Sequence, residues 1–327
     1  MSKAEKAMGG SPVNSVVGVS PAHYLRQMIW IAVRTLLMVS LAFIILYPVI
    51  YMLSMAFRTG ADIYDPTVIW IPHELTMDNV KSAIEALDYW NSLKNTIYLA
   101  AISTVIQLFI CSSVGYGFGR FNFRGKNLLM VILVFTIVVP AQLIALPTYF
   151  SFQSLDFFGV IRLITGSPSQ INLLDKSYLF FVLAFFGQGI RSGLFIMIFK
   201  QFYQSMPIEL EDAATVDGAG FMRTYFRIML PNASTVTLIS FLFSFVWYWN
   251  DYYVTNIYLN NFRSLSLVLS NIRLAFENSM GTAAFDPYYM VSIEQAGCLL
   301  LIVPLIILYL FTQKYFTESI ERTGIVG

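Results

Sequence analysis

Charge, cysteine and histidine are all scarce in this chain. Asp, Glu, Lys and Arg make up 12% of its 327 residues, against roughly 25% in ordinary soluble domains. The two cysteines, Cys111 and Cys298, lie inside apolar runs. They read as small buried apolar residues rather than as a disulfide framework. The two histidines, His23 and His73, are isolated, which leaves a metal site nothing to build on. A phosphate-binding loop is also missing. Gly119 to Lys126 is one residue off the required spacing, and Asn127 stands where Ser or Thr is needed. No enzyme constellation and no convincing internal repeat is visible, so the chain carries no visible energy source of its own.

What the chain has is apolar length. Hydrophobic residues make up 57% of it. A bilayer core of roughly 30 Å needs about 20 apolar helical residues. Six stretches qualify, at about Ile29–Phe57, Asn95–Gly119, Leu128–Phe152, Tyr178–Phe199, Val236–Ile257 and Val291–Thr312. The expected fold is an all-α membrane protein with six transmembrane helices. The first run is too long for a cleaved signal peptide and is expected to stay as an anchor. Basic residues gather in segments such as Arg120 to Lys126, whereas Asp62, Asp65, Glu74, Asp78, Glu85 and Asp88 share one loop. The positive-inside rule then places both termini in the cytoplasm. This bias orients the chain and does not suggest nucleic acid.

The expected organisation follows. Residues 1–24, rich in Ser, Gly and Pro, read as a disordered cytoplasmic tail. Residues 25–92 hold the first span and an outer loop, with a short amphipathic helix near Met77–Leu87. Residues 93–312 form the transmembrane core, and 313–327 a cytoplasmic tail. Gly115 to Gly119 is a small-xxx-small pattern, which lets helices approach closely. Pro140 and Pro147 should kink the third span, or open it toward a cavity. The long outer segments 153–177 and 258–290 are candidates for docking a soluble partner.

A polar island occupies 201–231. Ser205 is a plausible N-cap with Pro207 just inside the first turn. Glu209, Glu211 and Asp212 suit the positive end of a helix. Ala213 and Ala214 favour helix and keep its surface flat. Asp217, Gly218 and Ala219 follow, with Gly218 as the stop. A second amphipathic stretch, Phe221 to Leu230, should end at Pro231 where the chain re-enters the membrane. The expected shape is helix, turn, helix. Interfacial anchoring helices favour Lys and Arg on their polar face. Acids here argue for a protein partner.

With those residues in view, the loop resembles that of permease subunits of bacterial ATP-binding-cassette (ABC) importers. That family shows Glu-Ala-Ala, then Gly, Ile and Leu-Pro at fixed spacing. This chain has Asp212-Ala213-Ala214, Gly218, Ile228 and Leu230-Pro231. One departure is Asp212 for the family's Glu, which keeps the charge and shortens the reach. Asn95, Tyr116 to Gly125, Val139-Pro140, Pro147, Gly193, Met206-Pro207, Trp249-Asn250-Asp251 and Gln313 to Phe316 resemble the maltose-type carbohydrate permeases. The resemblance implies the type I importer fold and a bacterial inner-membrane location. It also implies a second permease subunit, an ATPase dimer holding ATP and magnesium, and an extracytoplasmic solute-binding protein. The chain would bind no cofactor itself. Its tail, Gly324–Gly327, would reach the ATPase dimer. Saccharides, polyols and glycerol phosphates are all within the range of cargo implied.

Two places could touch cargo. Trp247, Trp249, Asn250, Asp251 and Tyr252 could stack on and hydrogen-bond a sugar. They could equally form an aromatic belt, since depth puts them in the outer half of the bilayer. Arg191 falls near mid-membrane, where a charge is costly and usually paired or functional. Gln188 lies one turn earlier, and Glu294 could pair with Arg191 only if the spans are offset. A structural or gating role for Arg191 is expected. A gradient-driven secondary carrier is the main alternative class, and a membrane-anchored scaffold a third; carriers usually show internal repeats and midspan acids.

Overall fold

A computed structural model describes residues 21–156, 159–166, 171–280 and 286–324. The tail expected to be disordered falls mostly outside these residues, as does all of the terminal Gly324–Gly327 segment except Gly324. In chain order the helices are α1 (Pro21–Ala56), α2 (Gly60–Tyr64), α3 (Asp78–Ala86), α4 (Tyr89–Arg120), α5 (Lys126–Val138) and α6 (Ala141–Gln153). Then come α7 (Val160–Thr165), α8 (Tyr178–Phe185), α9 (Ser192–Ser205), α10 (Glu209–Val216) and α11 (Phe221–Thr224). After a π-helical turn at Tyr225–Met229 follow α12 (Leu230–Asn232), α13 (Ser234–Asn250), α14 (Tyr253–Tyr258), α15 (Leu265–Ser270), α16 (Ile272–Met280) and α17 (Pro287–Gly324). Among the described residues there is no strand, only one isolated bridge between Arg58 and Leu75.

The chain divides into two compact units, one ending at Tyr51 and the other beginning at Met52. In the first unit α1 exposes Leu36, Leu37, Ile44 and Ile45. A helix apolar all round belongs in lipid or in a core. The second unit is built on α4, which packs against α8, α9 and α13. The buried face of α4 is mixed: Leu99, Leu108 and Cys111 alternate with Ser103, Thr104, Gln107, Ser112 and Gly115. Small residues at a membrane interface let backbones approach. A Cβ on Gly115 would lie 2.6 Å from the Cβ of Phe199 and 2.9 Å from the amide N of Lys200. Gly119 is nearly as tight, with the Lys200 carbonyl O at 3.1 Å. The glycine pattern thus sets the α4–α9 contact.

Among the described residues, three helices are long and apolar enough to cross a membrane: Tyr24–Ala56, Tyr89–Arg120 and Pro287–Tyr315. Two bent pairs raise the number to as many as five. The expected third span is one of these pairs. Its halves, α5 and α6, meet at 102° around Val139-Pro140, far more than a kink. Pro140 sits at the break in extended geometry, while Pro147 lies inside α6 and does not interrupt it. The expected fourth span is not continuous either. It splits into α8 and α9, with Gly187 and Arg191 in left-handed conformation between them. The expected fifth span stops at Asn250, and α14 begins after it. The short helix expected near Met77–Leu87 is α3. Its Asn79 is buried and donates to the carbonyls of Ala56 and Arg58, at 3.3 and 2.8 Å.

Candidate functional site

The polar island folds as helix, turn, helix, with its details shifted. Ser205 is not an N-cap. It is the last residue of α9, and its Oγ donates back to the Phe202 carbonyl at 2.8 Å. Met206 and Pro207 then take the chain out of the helix, and α10 starts at Glu209 without a side-chain cap. The stop at Gly218 is as expected. Gly218 has φ +72°, Gly218 N–H donates to the Thr215 carbonyl and Ala219 N–H to that of Ala214, at 3.0 and 2.8 Å. That pair of bonds is a Schellman ending, which needs the left-handed residue that glycine supplies.

The second helix does not end at Pro231. The π turn runs to Met229, the Leu230 N–H donates to the Tyr225 carbonyl, and helix continues to Asn232. The 74° bend into α13 follows at Ala233. Proline has no N–H to give to an ordinary helical acceptor. A π turn, which inserts an extra residue, accommodates such a defect and often sits at functional sites.

The three acids of α10 have different surroundings. Glu209 and Asp212 are exposed, as are Ala213, Val216, Asp217 and Gly218; Val216 is 88% exposed. Glu211 instead turns inward. Tyr116 Oη donates to Glu211 Oε1 at 2.6 Å, and Arg120 Nε lies 3.5 Å from Oε2. At that distance the arginine contact is an ion pair rather than a hydrogen bond. The Arg120 and Glu211 side chains are only 8% and 17% exposed. Arg120 Nη2 also donates to the carbonyls of Met206 and Pro207, at 2.9 and 3.1 Å. The Tyr116 ring stacks on Tyr225 and Phe221, at 5.1 and 5.6 Å between centroids. Behind it, Tyr225 Oη donates to Ser112 Oγ at 3.0 Å, and Ser112 Oγ shares a 2.7 Å bond with Tyr203 Oη. The Arg120 end of α4 therefore fastens both halves of the loop. Tyr116 and Arg120, four residues apart on one helix face, are the partners that sequence reasoning missed. Ala219 is half-buried behind the turn, as is Leu230, and Pro231 is exposed.

The residues expected along a substrate path do not come together as one surface. Trp249 is 1% exposed and its Nε1 donates to the Leu301 carbonyl at 3.1 Å, so it packs inside the bundle. Asp251 accepts from the Val254 and Thr255 amides and from Thr255 Oγ1, which starts α14. Asn250 and Tyr252 are exposed. Glu294 pairs with Arg273, not with Arg191; Arg273 Nη2 donates to Glu294 Oε2 at 3.3 Å.

Arg191 lies at the broken fourth stretch. It has φ +56° and precedes α9. A non-glycine residue held there costs about 1–3 kcal/mol unless its surroundings enforce it. They do. Gln107 Nε2 donates to the Ile190 carbonyl at 2.7 Å, and the Ile190 N–H donates to Tyr248 Oη at 3.3 Å. Ser244 Oγ donates to Gln107 Oε1 and to Thr104 Oγ1, each at 3.3 Å. A Cβ on Gly189 would lie 2.5 Å from Tyr248 Oη. Freed backbone groups inside a membrane protein must find such partners. The Arg191 guanidinium is exposed and lies over the Trp247 ring, 4.6 Å from its centroid. Gln107, a lone amide in an apolar run, was the available signal for this joint.

These features define a helical membrane protein whose bundle is broken between α5 and α6 and between α8 and α9, and is fastened to a polar loop at the Arg120 end of α4. Residues 111–322 match the family described as binding-protein-dependent transport system inner membrane component. The chain belongs to that family and is an inner-membrane permease. It is 26% identical over 291 residues to the maltodextrin transport system permease protein MdxG of Bacillus subtilis, covering 88% of this chain and 93% of the relative. It is also 26% identical over 298 residues to the polygalacturonan/rhamnogalacturonan transport system permease protein YtcP of the same organism, covering 88% and 94%. Its fold is shared with a chain of a bacterial ABC transporter involved in the import of the acidic polysaccharide alginate. There the TM-score is 0.65 at 22% identity, over 91% of this chain and 99% of that one.

Proposed function

We propose that this permease imports a saccharide in an ATP-driven complex, with a second permease subunit, two ATPase subunits and a solute-binding protein. The carrying observation is the two-sided geometry of α10. Its inner side is tied to α4 through Glu211, while Glu209, Asp212, Ala213 and Val216 are exposed. A helix so held transmits force between a partner and the bundle instead of swivelling. Glu209, Asp212, Ala213, Asp217 and Gly218 then form the face offered to the ATPase subunits. Glu211, Ala214 and Ala219 hold that face in place. ATP and magnesium act in the partner subunits. Both termini and the loop lie on the cytoplasmic side.

Saccharide cargo is supported by relatives named for maltodextrin, arabinooligosaccharides and polygalacturonan. These names span neutral and acidic sugars, so they leave the charge of the cargo undecided. Trp247 and Arg191 are the substrate-path residues carried forward. Trp249 and Asp251 support the helices around them, and Asn250 and Tyr252 border the outer end of α13. Reconstituted with its partner subunits in vesicles, the complex is expected to take up saccharide only when ATP is supplied. Uptake by this chain alone, collapsed by an ionophore and indifferent to ATP, would establish a gradient-driven carrier instead.

A further inference from the structure

We infer that Arg191 is a binding site for the carboxylate of an acidic saccharide, which makes the cargo a uronic-acid oligosaccharide. This rests on the importer reading above and adds the chemical class of the cargo.

Depth comes first. At 1.5 Å per residue, Gln107 lies about 20 Å from the Arg120 end of α4. Gln107 is bonded to Ile190, the neighbour of Arg191. Measured along α9, Arg191 lies about 21 Å from the Ser205 end. With Arg120 and Ser205 taken as the cytoplasmic edge, as the importer reading has it, both paths put the guanidinium inside a bilayer core of roughly 30 Å. A charge at that depth avoids lipid, and it marks a pathway or takes a partner.

Partnership comes second. Among the described residues no carboxylate pairs with Arg191; the acids that form ion pairs serve His73, Lys81, Arg120 and Arg273. Glu294, the one acid expected within reach, is taken by Arg273. Among the described residues the guanidinium lies against the face of Trp247. An arginine on an aromatic face keeps its N–H edges available in the ring plane for planar, bidentate recognition.

Placement comes third. The chain there is not a loose loop. Gln107, Tyr248 and Ser244 secure the backbone of Ile190, and the tight fit of Gly189 fixes the approach. The backbone that carries Arg191 is thus set before any ligand arrives, and the guanidinium rests on the Trp247 ring, which lowers the cost of binding. One monovalent cation matches one carboxylate. A dianionic phosphate there would keep a net negative charge in a poorly solvated place, which is costly.

The test uses the complete transporter with its own solute-binding protein in ATP-loaded vesicles. The probes are trigalacturonate, neutral maltotriose and glucose 6-phosphate. Wild type is expected to take up trigalacturonate at least tenfold faster than maltotriose. Arg191→Gln should lower the trigalacturonate-to-maltotriose ratio about tenfold or more, and Arg191→Lys should restore a substantial part of it. The wild-type preference needs no variant, so a poorly assembling mutant leaves the test intact. ATP-driven uptake of maltotriose alone, or of glucose 6-phosphate alone, overturns the acidic-saccharide assignment and leaves the importer reading standing. Trigalacturonate uptake that Arg191→Gln leaves unchanged overturns the role of Arg191. Uptake of none of the three, with no stimulation of ATP hydrolysis, overturns the inference and the saccharide-importer reading together.

Discussion

Two irregular joints in this bundle solve the same physical problem with opposite treatments of charge. At the Arg120 end of α4, Arg120 and Glu211 are drawn in as an ion pair; Tyr116 bonds the carboxylate and loop carbonyls accept from Arg120 Nη2, while Arg120 Nε has no hydrogen-bond partner among the described residues. Between α8 and α9, the polar neighbours Gln107 and Tyr248 satisfy only the backbone of Ile190 and leave the Arg191 guanidinium to the face of Trp247. Each joint has a residue in left-handed conformation, Gly218 in one and Arg191 in the other. Glycine there is cheap, whereas arginine is not. A charge cancelled internally makes a mechanical fastening. A charge held in position without an acid partner makes a place for something else to bind.

The largest effect that would break this contrast is at the fastening. Glu211→Ala leaves the nearly buried Arg120 without its carboxylate and Tyr116 Oη without its acceptor. We expect a loss of about 3 kcal/mol in local stability. It should be read as faster proteolytic nicking of the 201–231 loop together with loss of coupled uptake. Asp212→Ala, on an exposed residue, should leave nicking unchanged. Equal effects from the two would show that Glu211 is not the fastening.

Next in size is the close approach of α4 to α9. Gly115→Ala should cost about 1–3 kcal/mol by overpacking against Phe199 and Lys200, seen as a lower melting temperature of the purified complex. Gly117→Ala meets nothing within 4 Å and should be neutral or slightly stabilising, because alanine is the better helix former. The α8–α9 joint is probed by Gln107→Leu, which orphans the Ile190 carbonyl. About 1–2 kcal/mol is expected, with hydrogen exchange rising around 186–191 and not in the loop. Smallest is Gly218→Ala, at about 1 kcal/mol for a side chain in left-handed geometry, measured by chemical denaturation.

The helix–turn–helix of the loop was readable because its signals are local. Acids open α10, alanines fill it and Gly218 ends it. The Tyr116–Glu211 bond was not readable, because its partners are 95 residues apart and only the α4–α9 approach brings them together. Spans were harder than loops. Hydropathy along Tyr178–Phe199 is continuous, so it reports apolar length and not a break. Gly187 and Gly189 were the hints, but glycine is also common in unbroken membrane helices. Trp249 and Asp251 looked like sugar contacts by residue type. Their hydrogen bonds show that one packs inside the bundle and the other starts α14. Residue type offered both roles, and only the neighbours separated them.

The central claim is that α10 is held from inside by Glu211 and presents its outer face to an ATPase subunit. The most direct measurement is a cross-link from Val216→Cys, on the 88% exposed side chain, to single cysteines on the co-expressed ATPase subunit. The account expects a cross-linked pair in native membranes that is lost, or moves to different ATPase positions, when Glu211→Ala is added. No cross-link from Val216→Cys in a transport-competent complex would contradict it, as would one that Glu211→Ala leaves unchanged.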